Sequence, residues 1–158
     1  MRKIDQLLLE YGESHQDHTN KAIHWICVPL IFFSVVGLVA SIPAGLVQSF
    51  FGQANPYANW ATVFFVLLLA YYVTLSIGLS VGMMLFGALC LYLARLIAES
   101  GNPLWAVSLI IFVVAWIGQF YGHKVEGKKP SFLKDLQFLA IGPAWLMHFI
   151  YKKLRIPY

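Results

Sequence analysis

Long stretches without charge limit this chain more than any other feature. Between Trp60 and Ala98 the one charged side chain is Arg95, and neither Ile23 to Ile42 nor Leu104 to Tyr121 contains Asp, Glu, Lys or Arg. A helix needs roughly 20 apolar residues to cross about 30 Å of hydrocarbon. Several runs approach that length and one exceeds it, which predicts an all-α, polytopic transmembrane helix bundle of four to five spans. Of the 158 residues, 59% are hydrophobic and 11% charged, so residues 1–158 read as a single integral membrane domain with no room for a soluble one.

Taken in order, Ile4, Leu7, Leu8 and Tyr11 recur at helical spacing beside Asp5, Gln6 and Glu10. That pattern predicts a short amphipathic helix on the membrane surface, so that residues 1–19 form a surface helix and a histidine-bearing loop. No small-residue cleavage site follows, so a removed signal peptide is not expected. Spans are predicted at residues 22–42, 60–78, 81–98 and 104–121. Pro29 should kink the first span, and Pro43 to Asn59 reads as an interfacial connection. Gly78 and Gly82 either turn the chain or mark close helix packing. Arg95 and Glu99 stand one helical turn apart before a Ser100-Gly101-Asn102-Pro103 turn, and Lys124 to Lys134 reads as a polar basic loop. The last apolar segment, 136–151, is short and broken by Gly142-Pro143. It is either two half-helices, a re-entrant element or a thin fifth crossing. Cys27 and Cys90 lie inside apolar runs and read as small buried hydrophobes.

Chemistry concentrates in Ser14-His15-Gln16-Asp17-His18-Thr19-Asn20-Lys21-Ala22-Ile23-His24, immediately before the first span. Nine residues separate His15 from His24, which at about 100° per residue puts them on opposite faces of a continuous helix. They can share a site only if the helix starts between them. Asp17 or Thr19 is a suitable N-cap for a start near Asn20, leaving His15 and His18 on a preceding loop and aligning Asn20 with His24. A second polar cluster, Gln119 to Glu126 around His123, ends the 104–121 run.

Alternation of four spans would bring the two clusters to one side of the membrane. Counted that way, the histidine side carries Arg2, Lys3, Lys21, Lys124, Lys128, Lys129 and Lys134, against Arg95, Lys152, Lys153 and Arg155 on the other. The excess predicts a cytoplasmic histidine face, and it places the cations in orientation-setting flanks with no role in nucleic acid binding. In a simple fifth crossing His148 lies towards the opposite face; a turn at Gly142-Pro143 would let it join the site.

A single histidine near the headgroups often does no more than bond a carbonyl or water. Three or four gathered at one end of a small bundle point further, because neutral imidazoles bind Fe or Zn and polar groups at membrane depth are costly. Gln119 and Glu126 are candidate ligands or orienting partners of the His123 ring, and Glu126 also reads as a solvated loop carboxylate. Two other classes fit the same residues: a haem-binding membrane electron carrier, and a non-catalytic scaffold or lipid-binding protein whose histidines serve structure.

The spacing His15-x4-Asn20-x3-His24-x4-Pro29, with Gln119-Phe120-Tyr121-Gly122-His123 and then Glu126 and Pro130 far downstream, resembles the small membrane proteins related to the fungal endoplasmic-reticulum 2-hydroxy fatty acid dioxygenase. The resemblance runs from the amphipathic start to Gly142-Pro143, with a loop from His123 to Pro130 one residue shorter than in the fungal form. It implies an Fe(II)-dependent enzyme of fatty acid α-oxidation that uses O2 to shorten a 2-hydroxy fatty acid by one carbon. It also implies His15, His24 and His123 as catalytic metal ligands and matches Asn20 to the family's asparagine. His18 and His148, which the resemblance does not match, are the candidates for a fourth ligand, and Lys21 and Lys124 are candidates by placement to attract the substrate carboxylate.

Overall fold

The computed structural model describes residues 1–127 and 139–158, all helical or in connections, with seven helices among them. They are α1 (Lys3–Gly12), α2 (His18–Ala40), α3 (Gly45–Phe51), α4 (Trp60–Leu75), α5 (Ile77–Glu99), α6 (Leu104–Val125) and α7 (Ile141–Leu154). The basic loop predicted through Lys134, including Lys128, Lys129 and Pro130, and the start of the 136–151 segment lie outside the described residues.

Three helices, α2, α5 and α6, are long and apolar enough to cross a membrane, and α4 is a shorter apolar helix. They place large apolar side chains such as Leu67, Leu85, Leu89, Ile110, Val114 and Ile117 on the outside, as expected where lipid replaces water. Between the helices the contacts come from small residues. Cβ atoms at Gly118 and Gly122 of α6 would meet Cys27 and Asn20 of α2, so these glycines set how closely the two axes approach. Ile31 and Ala115 share one buried cluster further along, and Gly37 faces Ser108. Residue numbers rise on α2 as they fall on α6, so the pair is antiparallel, and the start of α2 meets the end of α6.

The turn between the second and third apolar helices falls at Ser76, with neither Gly78 nor Gly82 forming it. Ser76 is extended (φ −166°, ψ 118°), its N–H closes α4 on the Tyr72 carbonyl, and its hydroxyl accepts from the Leu79 N–H to cap α5. A serine hydroxyl satisfies a helix-start donor that the apolar run cannot, which is why the chain breaks there. The two glycines are packing sites: Cβ atoms would meet Tyr158 and Pro157 at Gly78, and Met147 and Tyr151 at Gly82. At the other end Arg95 pairs with Glu99 at 2.7 Å, and Gly101 takes the positive φ (+80°) that turns the chain into α6.

The last helix does not cross the bundle. With 14 residues, α7 is about 21 Å long at ~1.5 Å per residue, short of the hydrocarbon thickness. Gly142-Pro143 does not split it. Pro143 stands in its first turn, where a missing N–H leaves no bond unmade. Its first turns pack against Tyr72 and Met83, its later part against Gly82 and Gly78, and the Tyr151 hydroxyl donates to the Gly78 carbonyl at 2.9 Å. It therefore runs from the level of Met83 to the end where α5 starts.

The apolar face of α1 is also spent on protein. Ile4, Leu8 and Tyr11 are buried in a cluster with Val28, Leu79, Ile141, Trp145 and Leu146, so α1 packs on α7 where a surface helix would face lipid. Arg2 donates to the Tyr158 carbonyl and its guanidinium stands 5.3 Å over that ring. The C-terminal cations therefore lie at the histidine end, contrary to the expected division. Among the described residues, Arg2, Lys3, Lys21, Lys124, Lys152, Lys153 and Arg155 share that end, with Arg95 opposite.

Candidate metal centre

Each side chain of the site is placed by a different element. Asp17 ends the loop after α1, and its carboxylate accepts from the backbone N–H groups of Thr19 and Asn20 at 2.8 and 3.0 Å, which starts α2 at His18. The helix thus begins between His15 and His24 and lifts the constraint that would hold them on opposite faces. His15 stays in the loop, His24 lies in the second turn of α2, and His123 comes from the last turns of α6.

The three histidines converge. His15, His24 and His123 are 2%, 1% and 5% exposed, and their candidate ligand atoms all lie within 4.8 Å of one another. The His15 and His24 ring centroids are 4.1 Å apart, edge to face, with His123 at 5.5 and 5.1 Å. Two rings are fixed by carbonyls: His15 Nδ1 donates to the Tyr11 carbonyl at 2.6 Å and His24 Nδ1 to the Asn20 carbonyl at 2.9 Å. A carbonyl only accepts, so Nδ1 carries the proton and Nε2 keeps the lone pair a metal uses. Tyr11 stacks on His15 at 4.4 Å and 15°, and Trp145 stands 5.4 Å away, holding the loop ring from its other neighbours. The donor set suits Fe or Zn, the ions that neutral imidazoles bind.

Glu126, weighed from sequence as a ligand or a partner of the His123 ring, does something else. Its two oxygens accept from the Gln16 and Asp17 N–H groups, both at 2.8 Å, and from the Asn20 side-chain amide at 3.1 Å. It clamps the end of α6 to the loop that carries His15. Burial opposes its ionisation, but the two backbone donors and the Asn20 amide prevail and hold its pKa below the usual carboxylate value. Asn20 contributes in two ways: its carbonyl orients His24, and its side chain joins Glu126 to the Ser14 carbonyl. Gln119 is buried, with its Oε1 making no hydrogen bond among the described residues. It lines a cavity of about 30 Å³ with His24, His123, Val28, Ile31 and Trp116, roughly the room of one water-sized molecule.

The other candidates lie elsewhere. His18 is exposed at the first position of α2 and outside the trio, because the Asp17 cap turns it away. His148 is also outside the trio, with its Nδ1 hydrogen-bonded to the Tyr158 hydroxyl. Neither belongs to the group whose ligand atoms converge among the described residues. Lys21, half-buried, and His148 line a groove of about 670 Å³ between α1 and α7, which reaches His15. Lys124 is exposed on α6 and not part of that groove. The Tyr11 and Trp145 packing on His15 was not foreseen from sequence; nothing in their spacing to the histidines marks it.

A helical membrane protein with a buried three-histidine group at one end of its bundle is the class that this fold and site define. The chain belongs to the 2-hydroxy-palmitic acid dioxygenase Mpo1-like family, whose profile matches residues 1–154. No curated protein and no solved structure matches it.

Proposed function

We propose that this protein is an Fe(II)-dependent dioxygenase of fatty acid α-oxidation, converting a 2-hydroxy fatty acid to the product one carbon shorter with O2. The observation that carries the reading is the buried trio itself, with His15 and His24 held in the tautomer that directs Nε2 inwards. The family's name points to the same reaction class. Bound by His15, His24 and His123, ferrous iron would supply open positions for the 2-hydroxy-carboxylate head and O2. Glu126 and Asn20 hold the His15 loop against α2 and α6, and Tyr11 and Trp145 keep bulk water from the His15 ring. The small cavity beside His24 and His123 is apolar on the Val28, Ile31 and Trp116 side, which suits a small apolar gas. The clustering of cations at the histidine end supports a cytoplasmic orientation of the site, in an inner membrane or the endoplasmic reticulum.

Haem does not suit this arrangement, because two axial imidazoles must stand on either side of a porphyrin, whereas the His15 and His24 rings are in edge contact. Metal analysis of anaerobically purified protein, coupled to O2 uptake with 2-hydroxypalmitate, tests the proposal. Near-stoichiometric iron and substrate-dependent O2 consumption are expected, both lost in His15→Ala, His24→Ala and His123→Ala. Wild type that takes up no metal after reconstitution would leave the non-catalytic scaffold reading in its place.

A further inference from the structure

The trio has two sides. His24 and His123 border the 30 Å³ cavity inside the bundle, while His15 lines the 670 Å³ groove between α1 and α7. A space of that size falls within the range of small-molecule sites. Its walls divide by chemistry. Leu8, Leu9, Trp145 and Phe149 supply apolar surface, and Lys21 and Lys152 supply charge. Neither lysine has an ion-pair partner among the described residues, whereas the groove's Asp5 is committed to Arg2 at 2.9 Å. Glu13 is the other acid in the lining and is exposed. Lys21 stands one turn before His24 on α2, so its charge lies at the metal end of the groove. Lys152 lies two turns beyond Trp145 on α7. Phe149 also meets the exposed Trp25 ring, at 6.4 Å, which carries the apolar wall out to the lipid-facing surface of α2.

We infer that the α1–α7 groove is the site of a single-chain carboxylic acid, with Lys21 holding the carboxylate beside His15, Lys152 as a second cation further along α7, and the chain lying along Leu8, Trp145 and Phe149 towards the bilayer. This deepens the proposed function and rests on it for the identity of the acid as a substrate. The cations select an anion, the apolar wall selects a chain, and the end at His15 places the carbons next to the carboxylate beside the metal ligands. Lys124, outside the groove, takes no part.

The test uses metal-free full-length protein in neutral nanodiscs, so that it does not depend on turnover. The probes are a long-chain 2-hydroxy acid brominated along its chain and the methyl ester of the same acid, read by quenching of tryptophan fluorescence. Saturable quenching by the acid is expected, reduced in Trp145→Phe by the share that Trp145 contributes. Lys21→Ala should weaken acid binding about tenfold, the scale of one charge-assisted contact, and Lys152→Ala by less, since its charge attracts the acid without touching the bound carboxylate; both should leave the ester unchanged and contrast with a silent Lys124→Ala. Equal binding of acid and ester by wild type, unchanged acid affinity in Lys21→Ala, or a saturable quenching amplitude unchanged in Trp145→Phe would overturn the assignment. Any of these leaves the iron and O2 measurements untouched, and a metal-free, inactive protein that still binds the acid through the lysines separates the two claims in the other direction.

Discussion

Replacing Glu126 by Ala removes the acceptor for three donors at once: the Gln16 and Asp17 N–H groups and the Asn20 amide. A hydrogen bond to a charged group contributes about 1.5–3 kcal/mol when buried. Glu126 is half-exposed, so screening and competing water reduce each to about 1 kcal/mol or less. Some of the sum is recovered when the freed donors reach water, which leaves about 2 kcal/mol against the ordered loop. In the proposed site His15 can serve as a ligand only while that loop is in place, so the cost would transfer to metal affinity. At 1.4 kcal/mol per decade, 2 kcal/mol is about a 30-fold loss of affinity. That lies inside the 10–100-fold range for residues that orient ligands without touching metal. Anaerobic titration of apoprotein with Fe(II), or with Co(II) as a spectroscopic reporter, measures it directly. Glu126→Gln, which keeps one acceptor oxygen, should fall between wild type and Glu126→Ala. Helical content should be unchanged in all three, because α2 and α6 keep their own packing. Wild-type metal affinity in Glu126→Ala would refute the clamp.

Three further outcomes follow from the same geometry. Gly122→Ala sets a Cβ onto Asn20 Oδ1, so α2 and α6 must part at the site; a loss of about 1–3 kcal/mol is expected in thermal unfolding, with weaker metal binding. Asp17→Ala uncaps α2 and should cost about 1 kcal/mol, largely recovered in Asp17→Asn or Asp17→Ser; equal unfolding temperatures in all three would count against the cap. Glu126 has its pKa depressed on folding, so its stabilisation is complete above the ordinary carboxylate value of 4.5 and is lost as pH falls through the lower folded value. The stability gap between wild type and Glu126→Gln, measured in metal-free protein, should therefore be constant near neutrality and close below about pH 4.5; a gap that widens on acidification would reverse the sign.

Most of the long apolar helices were legible in the sequence because a membrane allows little else: backbone groups must be satisfied within the segment, and uncharged runs of sufficient length declare themselves. The motif spacing likewise required the helix break before His24, since His15 and His24 could not otherwise meet, and Asp17 was readable as one of two caps. What the sequence could not decide is where the chain folds back on itself. Ser76, flanked by the equally small and polar Thr74 and Ser80 in the long uncharged run, makes the turn because its hydroxyl caps α5, while the nearby glycines are consumed by α7 and the C-terminal tail. Gly142-Pro143, which reads as a break, opens a helix, since a proline costs nothing in a first turn. The direction and packing of α7 put three cations at the histidine end, covered the apolar face of α1 and built the groove that ends on His15. Those outcomes rest on contacts between residues far apart in the chain, such as Tyr151 with Gly78 and Arg2 with Tyr158. The sequence by itself determined the helices and the histidines, through local periodicity and the demands of the bilayer. Only tertiary packing decided which of those histidines converge and what faces them, because a neighbour across a helix interface leaves no mark on local spacing.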